Sequence, residues 1–271
     1  MGFFNRIADG LFFETDHRQY WDYRRFGLEG ERFVSVTGNG TEIPSLFLRA
    51  LPRNGGKVRG TVLYAYDGTR NASFHLPQIS WLVPGGWNVV LFDPPGAGES
   101  EGTTSLDSYA EAACGAYDSV LENKTATPQG LVLFGQSVGG AALLEILARH
   151  PEGAAGIVLE GTFAHRRSLM LRRYGPGVGH LAASLLTPTA LQDPADIWQG
   201  LRIPAAYLRP GRDSSVPEKE LSDMVNGAPA GRTIWNAAKE KHLTAFGYPT
   251  EWRDRFLEFA DAAVKKAARK K

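Results

Sequence analysis

Leu131-Val132-Leu133-Phe134-Gly135-Gln136-Ser137-Val138-Gly139, followed after Gly140 by Ala141-Ala142-Leu143-Leu144-Glu145-Ile146-Leu147-Ala148-Arg149, reads as a buried strand, a sharp turn and a helix. A serine within G-x-S-x-G in that setting is a nucleophile elbow. The glycines let the turn tighten without side-chain clashes. The serine at the tip points away from the sheet, and the helix aims its N-terminal amides at the same spot.

The pentapeptide pattern has a twin upstream at Gly98-Glu99-Ser100-Glu101-Gly102. It follows the apolar run Val89-Val90-Leu91-Phe92-Asp93 only after Pro94-Pro95-Gly96-Ala97, and no apolar helix comes next. Two glutamates flank its serine and would oppose a developing oxyanion. Ser100 therefore reads as a loop residue and Ser137 as the nucleophile.

Around the elbow the chain alternates. Strands are predicted at 32–37 and 43–51, joined around Gly38-Asn39-Gly40, then at 60–66, 87–93, 130–134, 156–160, 203–208 and 232–236. Helices are predicted at 73–83, 106–122, 138–149, 218–226 and 250–268. Near-continuous apolar strands separated by helices indicate a parallel sheet covered on both faces. The fold class is α/β: a mostly parallel, doubly wound sheet with an antiparallel N-terminal strand pair, in α/β-hydrolase order. Ligands of such sheets bind at the carboxyl ends of the strands. The expected organisation is an N-terminal helical extension at 1–31 and an α/β domain at 32–271, interrupted by a short helical cap at about 163–200.

A serine hydroxyl needs a base, and the base an orienting carboxylate, in the chain order Ser, Asp or Glu, His. Of His17, His75, His150, His165, His180 and His242, only His242 lies beyond the penultimate strand. Asp213 falls in the loop after the 203–208 strand, where the carboxylate is needed. Glu160, ending Ile157-Val158-Leu159, is the competing acid, and Asp196 precedes its strand at the wrong end. Two amides should meet the oxyanion: Val138 N–H, and one from the loop Tyr66-Asp67-Gly68-Thr69-Arg70-Asn71.

Taken together, that loop, Asp93-Pro94-Pro95-Gly96-Ala97-Gly98-Glu99-Ser100, the elbow, the segment from Gly211 to Pro217, and Lys241-His242 resemble small-cap α/β-hydrolases of the alpha/beta-hydrolase-domain and acyl-protein-thioesterase type. The resemblance runs from about residue 32 to the C-terminus. It implies a carboxylesterase, lysophospholipase or thioesterase, with the catalytic residues Ser137, Asp213 and His242 and an oxyanion hole of Val138 and Gly68. The chain departs from the family at one place. Tyr66-Asp67 stands where the family has His-Gly, and a one-residue shift of register would make Thr69 the second donor. An ionised Asp67 beside the oxyanion would oppose catalysis, so its side chain turns away or serves a cationic group of a substrate.

Composition narrows the classes. With 271 residues and 29.6 kDa the chain suits one large domain. A net charge of +1 gives no field that recruits nucleic acid. One cysteine, Cys114, leaves no intrachain disulfide framework and suits a reducing, cytoplasmic setting. No run of about 20 apolar residues predicts a transmembrane helix. The aromatic start, Met1-Gly2-Phe3-Phe4-Asn5-Arg6-Ile7, reads as a poor signal peptide, and Arg6 breaks the myristoylation pattern. It is expected to dock on the domain, with weak membrane-surface contact as the alternative. In the cap, Arg166, Arg167, Arg172 and Arg173 read as a basic face, with anionic-substrate contact as the sharper alternative, and Leu181-Ala182-Ala183-Ser184-Leu185-Leu186 as lining of an acyl pocket. No H-E-x-x-H, paired C-x-x-C or P-loop is present, and Glu101 breaks the dinucleotide pattern, so neither cofactor nor metal is expected.

The expected function is hydrolysis of a small-molecule acyl ester or thioester through an acyl-enzyme. A hydrolase-fold protein that only binds a ligand or partner, and an aminopeptidase of the prolyl-aminopeptidase kind, are the alternatives.

Overall fold

A computed structural model of the chain describes residues 13–52, 55–123, 126–127, 129–168, 177 and 191–269. In chain order the strands are β1 (Glu14–Thr15), β2 (Gly30–Val36), β3 (Glu42–Leu48), β4 (Gly60–Ala65), β5 (Thr69–Arg70), β6 (Trp87–Phe92), β7 (Leu131–Gln136), β8 (Ala154–Glu160), β9 (Ala205–Arg212) and β10 (Thr233–Lys241). The α-helices are α1 (Ala72–Ile79), α2 (Leu106–Glu122), α3 (Val138–Arg149), α4 (Pro194–Gly200), α5 (Glu218–Asn226) and α6 (Glu251–Ala268).

Eight strands make one sheet in the order β10-β9-β8-β7-β4-β6-β3-β2. All neighbours pair in parallel except β3, which runs antiparallel to both β2 and β6. The expected α/β fold with its antiparallel N-terminal pair is the one observed. Every residue of β4, β6, β7 and β8 is buried, because helices cover both faces. Alternation sorts their side chains. Leu63, Leu133, Ile157 and Leu159 face α2 and α3, while Val62, Val132, Phe134 and Val158 face α1 and α6. Local signals set the helix starts. Ser105 and Ser108 form a reciprocal capping box at 3.0 and 2.8 Å on α2, and Asn71 caps α1.

Three expectations change. The helical extension at 1–31 is, over its described residues 13–31, an extended strap with one 3₁₀ turn (Tyr23–Phe26). Ahead of that turn, its backbone groups bond to loops of the domain. Glu14 N–H donates to Gly68 O at 2.7 Å, and Asn71 Nδ2 donates to Asp16 O and Arg18 O at 3.1 and 2.8 Å. Gly98 N–H also reaches Asp16 O at 2.9 Å, and Phe13 is buried edge-on to Tyr109. Second, β9 and β10 outrun their predicted ends. Pro210 pairs with Ala237 and Arg212 with Lys241, with a shift of register between them, and there Gly211 lets the backbone of Ala238 approach where a Cβ would lie 2.5 Å from Ala238 Cα. Third, α4 occupies the C-terminal part of the cap span. Arg172, Arg173 and 181–186 of that span, and the aromatic start 1–12, lie outside the described residues.

Candidate active site

Ser137 sits between β7 and α3 with φ 52° and ψ −120°, a region that costs a non-glycine residue backbone energy. Three glycines hold it there. A Cβ on Gly135 would lie 2.4 Å from Gly140 Cα, one on Gly139 2.2 Å from Tyr66 O, and one on Gly140 2.0 Å from Thr162 Oγ1. Helix α3 thus starts hard against the ends of β4 and β8. Ser137 N–H donates to Glu160 O at 2.9 Å, which anchors the turn to β8. The twin, Ser100, lies in a tight turn and is buried, out of reach of a substrate.

Asp213 follows β9 and His242 follows β10, and the two side chains meet with Asp213 Oδ2 to His242 Nδ1 at 2.6 Å. Asp213 Oδ1 accepts from Ser215 N–H and Val216 N–H, both at 2.8 Å. With both carboxylate oxygens engaged, Nδ1 of His242 is assigned the proton and Nε2 the free lone pair. Gly161, with φ 58°, packs flat against this pair: a Cβ there would lie 3.2 Å from His242 Nδ1 and 3.4 Å from Asp213 Oδ2. Because Gly161 directly follows Glu160, the histidine pair and the serine turn converge on the carboxyl end of β8. Among the described residues Ser137 Oγ makes no hydrogen bond. Such contacts commonly tighten only around substrate.

The structure brings Asp213 to His242 and holds the competing acids apart from its Nδ1. Glu160 is bonded to Gln136 and Ala245, and Asp196 sits in α4. Burial pushes the Glu160 carboxyl up to about 7. Burial likewise pushes the Cys114 thiol up to about 11, which leaves it a packed, unreactive side chain.

Beside the elbow, the loop after β4 is rigidly braced. Tyr109 Oη donates to Tyr66 O at 2.5 Å, and Tyr66 Oη donates to Asp93 Oδ1 at 3.0 Å. Asp93 is buried, which raises its pKa, and it also accepts Ala72 N–H at 2.7 Å. Asp67 Oδ1 accepts Thr69 N–H at 3.0 Å and Thr69 Oγ1 at 2.7 Å, with His75 Nε2 at 3.4 Å. The sequence pattern missed this turn, although an Asp two residues before a Thr is its ordinary signal. Two consequences follow. The Thr69 amide is spent on Asp67, so the shifted register loses its donor. The charge of Asp67 is drawn toward Thr69 and His75. The Asp67 carboxylate leaves Gly68 N–H untouched, and Gly139 packs the start of α3, next to Val138, against the end of the same strand.

Among the described residues His165, Glu220 and Asp223 hold ligand atoms within 4.8 Å of one another, but Lys219 Nζ already pairs with Asp223 at 2.5 Å.

The family model described as serine aminopeptidase, S33, matches residues 56–269, from just before β4 to the end of α6. The chain belongs to this S33 hydrolase family. YfhR of Escherichia coli K12 is 31% identical over 177 residues, which cover 65% of this chain and 61% of that protein. YfhR of Salmonella typhimurium LT2 is 26% identical over 271 residues, covering 96% and 90% of the two chains. The Pyrococcus furiosus esterase Pf2001 shares the S33 chain's fold with a TM-score of 0.74 at 17% identity, over 93% of this chain and 99% of that one. Family membership makes the hydrolase class plain. No helix among the described residues is long and apolar enough to cross a membrane.

Proposed function

We propose that this chain is a serine hydrolase that cleaves a small-molecule acyl ester or thioester through an acyl-enzyme. The observation that carries the reading is the 2.6 Å contact of Asp213 with His242, set against Gly161 next to the strained Ser137 turn. Ser137 Oγ attacks the substrate carbonyl and gives its proton to His242 Nε2. Asp213 holds the imidazole in the Nδ1–H tautomer and supports the positive charge. Val138 and Gly68 amides receive the oxyanion, which the N-terminus of α3 also favours. Collapse expels the alcohol or thiol, which takes the proton from His242. Water then repeats the cycle: it loses a proton to Nε2, adds to the acyl-enzyme, and releases the carboxylic acid with Ser137 restored.

A fluorophosphonate probe tests this. Labelling that disappears in Ser137→Ala supports it, and folded protein that takes no label overturns it. Esters of increasing chain length, an acyl-CoA and an aminoacyl amide then separate substrate classes.

The aminopeptidase reading draws on the description of the matched family, and turnover of the aminoacyl amide above all esters would favour it. A non-catalytic reading would rest on the Tyr66-Asp67 departure. With Asp67 occupied by Thr69, that ground is weaker.

A further inference from the structure

Glu160 ends β8, is fully buried, and has no part in the steps above. Its carboxyl closes a chain of polar groups beneath the site. Tyr64 Oη donates to Gln136 Oε1, Gln136 Nε2 donates to Glu160 Oε2 at 2.5 Å, and Ala245 N–H donates to Glu160 Oε1 at 3.1 Å. The last bond reaches the histidine turn, since Ala245 lies three residues beyond His242. Thr244 Oγ1 closes the other side of that turn by accepting Lys241 N–H at 3.0 Å. The main chain of the same glutamate accepts Ser137 N–H, and its neighbour Gly161 carries the imidazole ring. One residue therefore touches the serine turn through its carbonyl and the histidine turn through its side chain.

We propose that Glu160 is a positioning residue for His242, a second carboxyl that fixes the histidine turn through Ala245 and, when ionised, favours the imidazolium formed as Ser137 loses its proton. This rests on the reading of His242 as the base. Burial raises the carboxyl to about 7, while the bonds from Gln136 and Ala245 and the charge of His242 pull it down and Glu240 pushes it up. Among the described residues, Tyr64 and Tyr248 also feel its charge. The carboxyl thus changes charge in the same range in which a histidine base is gained or lost. Asp213 keeps the hydrogen bond to Nδ1, and Glu160 acts by charge through the protein interior, where screening is weak.

Glu160→Gln keeps the shape and an acceptor for Ala245 and removes the charge. Gln136 can turn its amide to meet the new NH₂ group. In the wild type the acid limb of log kcat/KM against pH should approach a slope of about 2, because two groups must lose protons. In Glu160→Gln it should fall to about 1, with kcat at pH 8 down by about tenfold. Alongside, the His242 ring signals are titrated by NMR in a Ser137→Ala background, with and without Glu160→Gln, and the midpoint should move to lower pH when the charge is gone. This readout needs no substrate, so it stands even if the esterase reading fails. An unchanged limb and an unchanged His242 titration overturn the proposal, whatever the loss of activity. If the amide variant does not fold, Glu160→Asp serves. It keeps the charge while withdrawing it from Ala245, so the steep limb should persist with a lower kcat, and a shallow limb would sink the proposal.

Discussion

Gly139 lies against the carbonyl oxygen of Tyr66, so close that a Cβ would come within 2.2 Å of it. At this contact the helix that follows Ser137 meets the end of β4, just ahead of the loop that holds Gly68. Gly139→Ala must part them. Misplacing the two proposed oxyanion donors by about 1 Å should cost on the order of a hundredfold in rate. Steady-state kinetics should show that loss in kcat with KM little changed, and far-UV circular dichroism should stay native.

Asp213→Asn tests the tautomer. The amide can hold the ring but no longer enforces a proton on Nδ1 or supports its charge. A drop of about 10⁴ in kcat is expected. A loss below about tenfold would remove Asp213 from the catalytic set.

Asp67 caps its own turn. Asp67→Asn keeps an acceptor for Thr69, so activity on neutral esters should stay within about threefold. Asp67→Ala frees the loop and should lower kcat by about tenfold or more. If Asp67→Asn selectively impairs amino-bearing esters, the carboxylate also recognises a cation.

Glu160 makes stability depend on pH. Its folded value of about 7 lies above the ordinary 4.5 of a glutamate. The folded state therefore binds the proton more tightly than the unfolded chain. That contribution is complete below pH 4.5 and is lost as pH rises through about 7. The shift corresponds to about 3 kcal/mol. Urea titrations should show the wild type weakening relative to Glu160→Gln between pH 5 and pH 8, and parallel pH profiles would contradict this.

Arg166 and Glu145 form an ion pair of 3.1 Å with both side chains almost wholly buried. Glu145→Ala strands a guanidinium in the interior at a cost of about 3–5 kcal/mol. Replacing both by apolar residues, Arg166→Met with Glu145→Leu, should recover most of it. Denaturant midpoints with unchanged m-values would check both statements.

Much of this architecture was legible because the sheet is buried on both faces. Residues 131–134, 157–159 and 89–92 are apolar throughout, so strand identity did not depend on register. The elbow was legible because its glycines answer to backbone crowding that no other residue tolerates. Asp213 and His242 were found by chain order, and the structure brings their side chains together. What stayed hidden depends on long-range partners. Residues 14–18 carry no strand pattern, since their hydrogen bonds go to Gly68, Asn71 and Gly98. Glu160 looked like a competing acid because sequence does not reveal that Gln136 and Ala245 would occupy it.

The strap at 13–18 also bears on how the protein can be cut. The family match begins at residue 56, after the strap, β2 and β3. A fragment started there would leave the edge of β6 open, a row of unpaired amides and carbonyls ready to template aggregation. It would also release Asn71 and Gly68 from the chain that ties them. The segment ahead of the matched hydrolase body ties down the loops beside the candidate site, so solubility and turnover should be lost together when it is trimmed away.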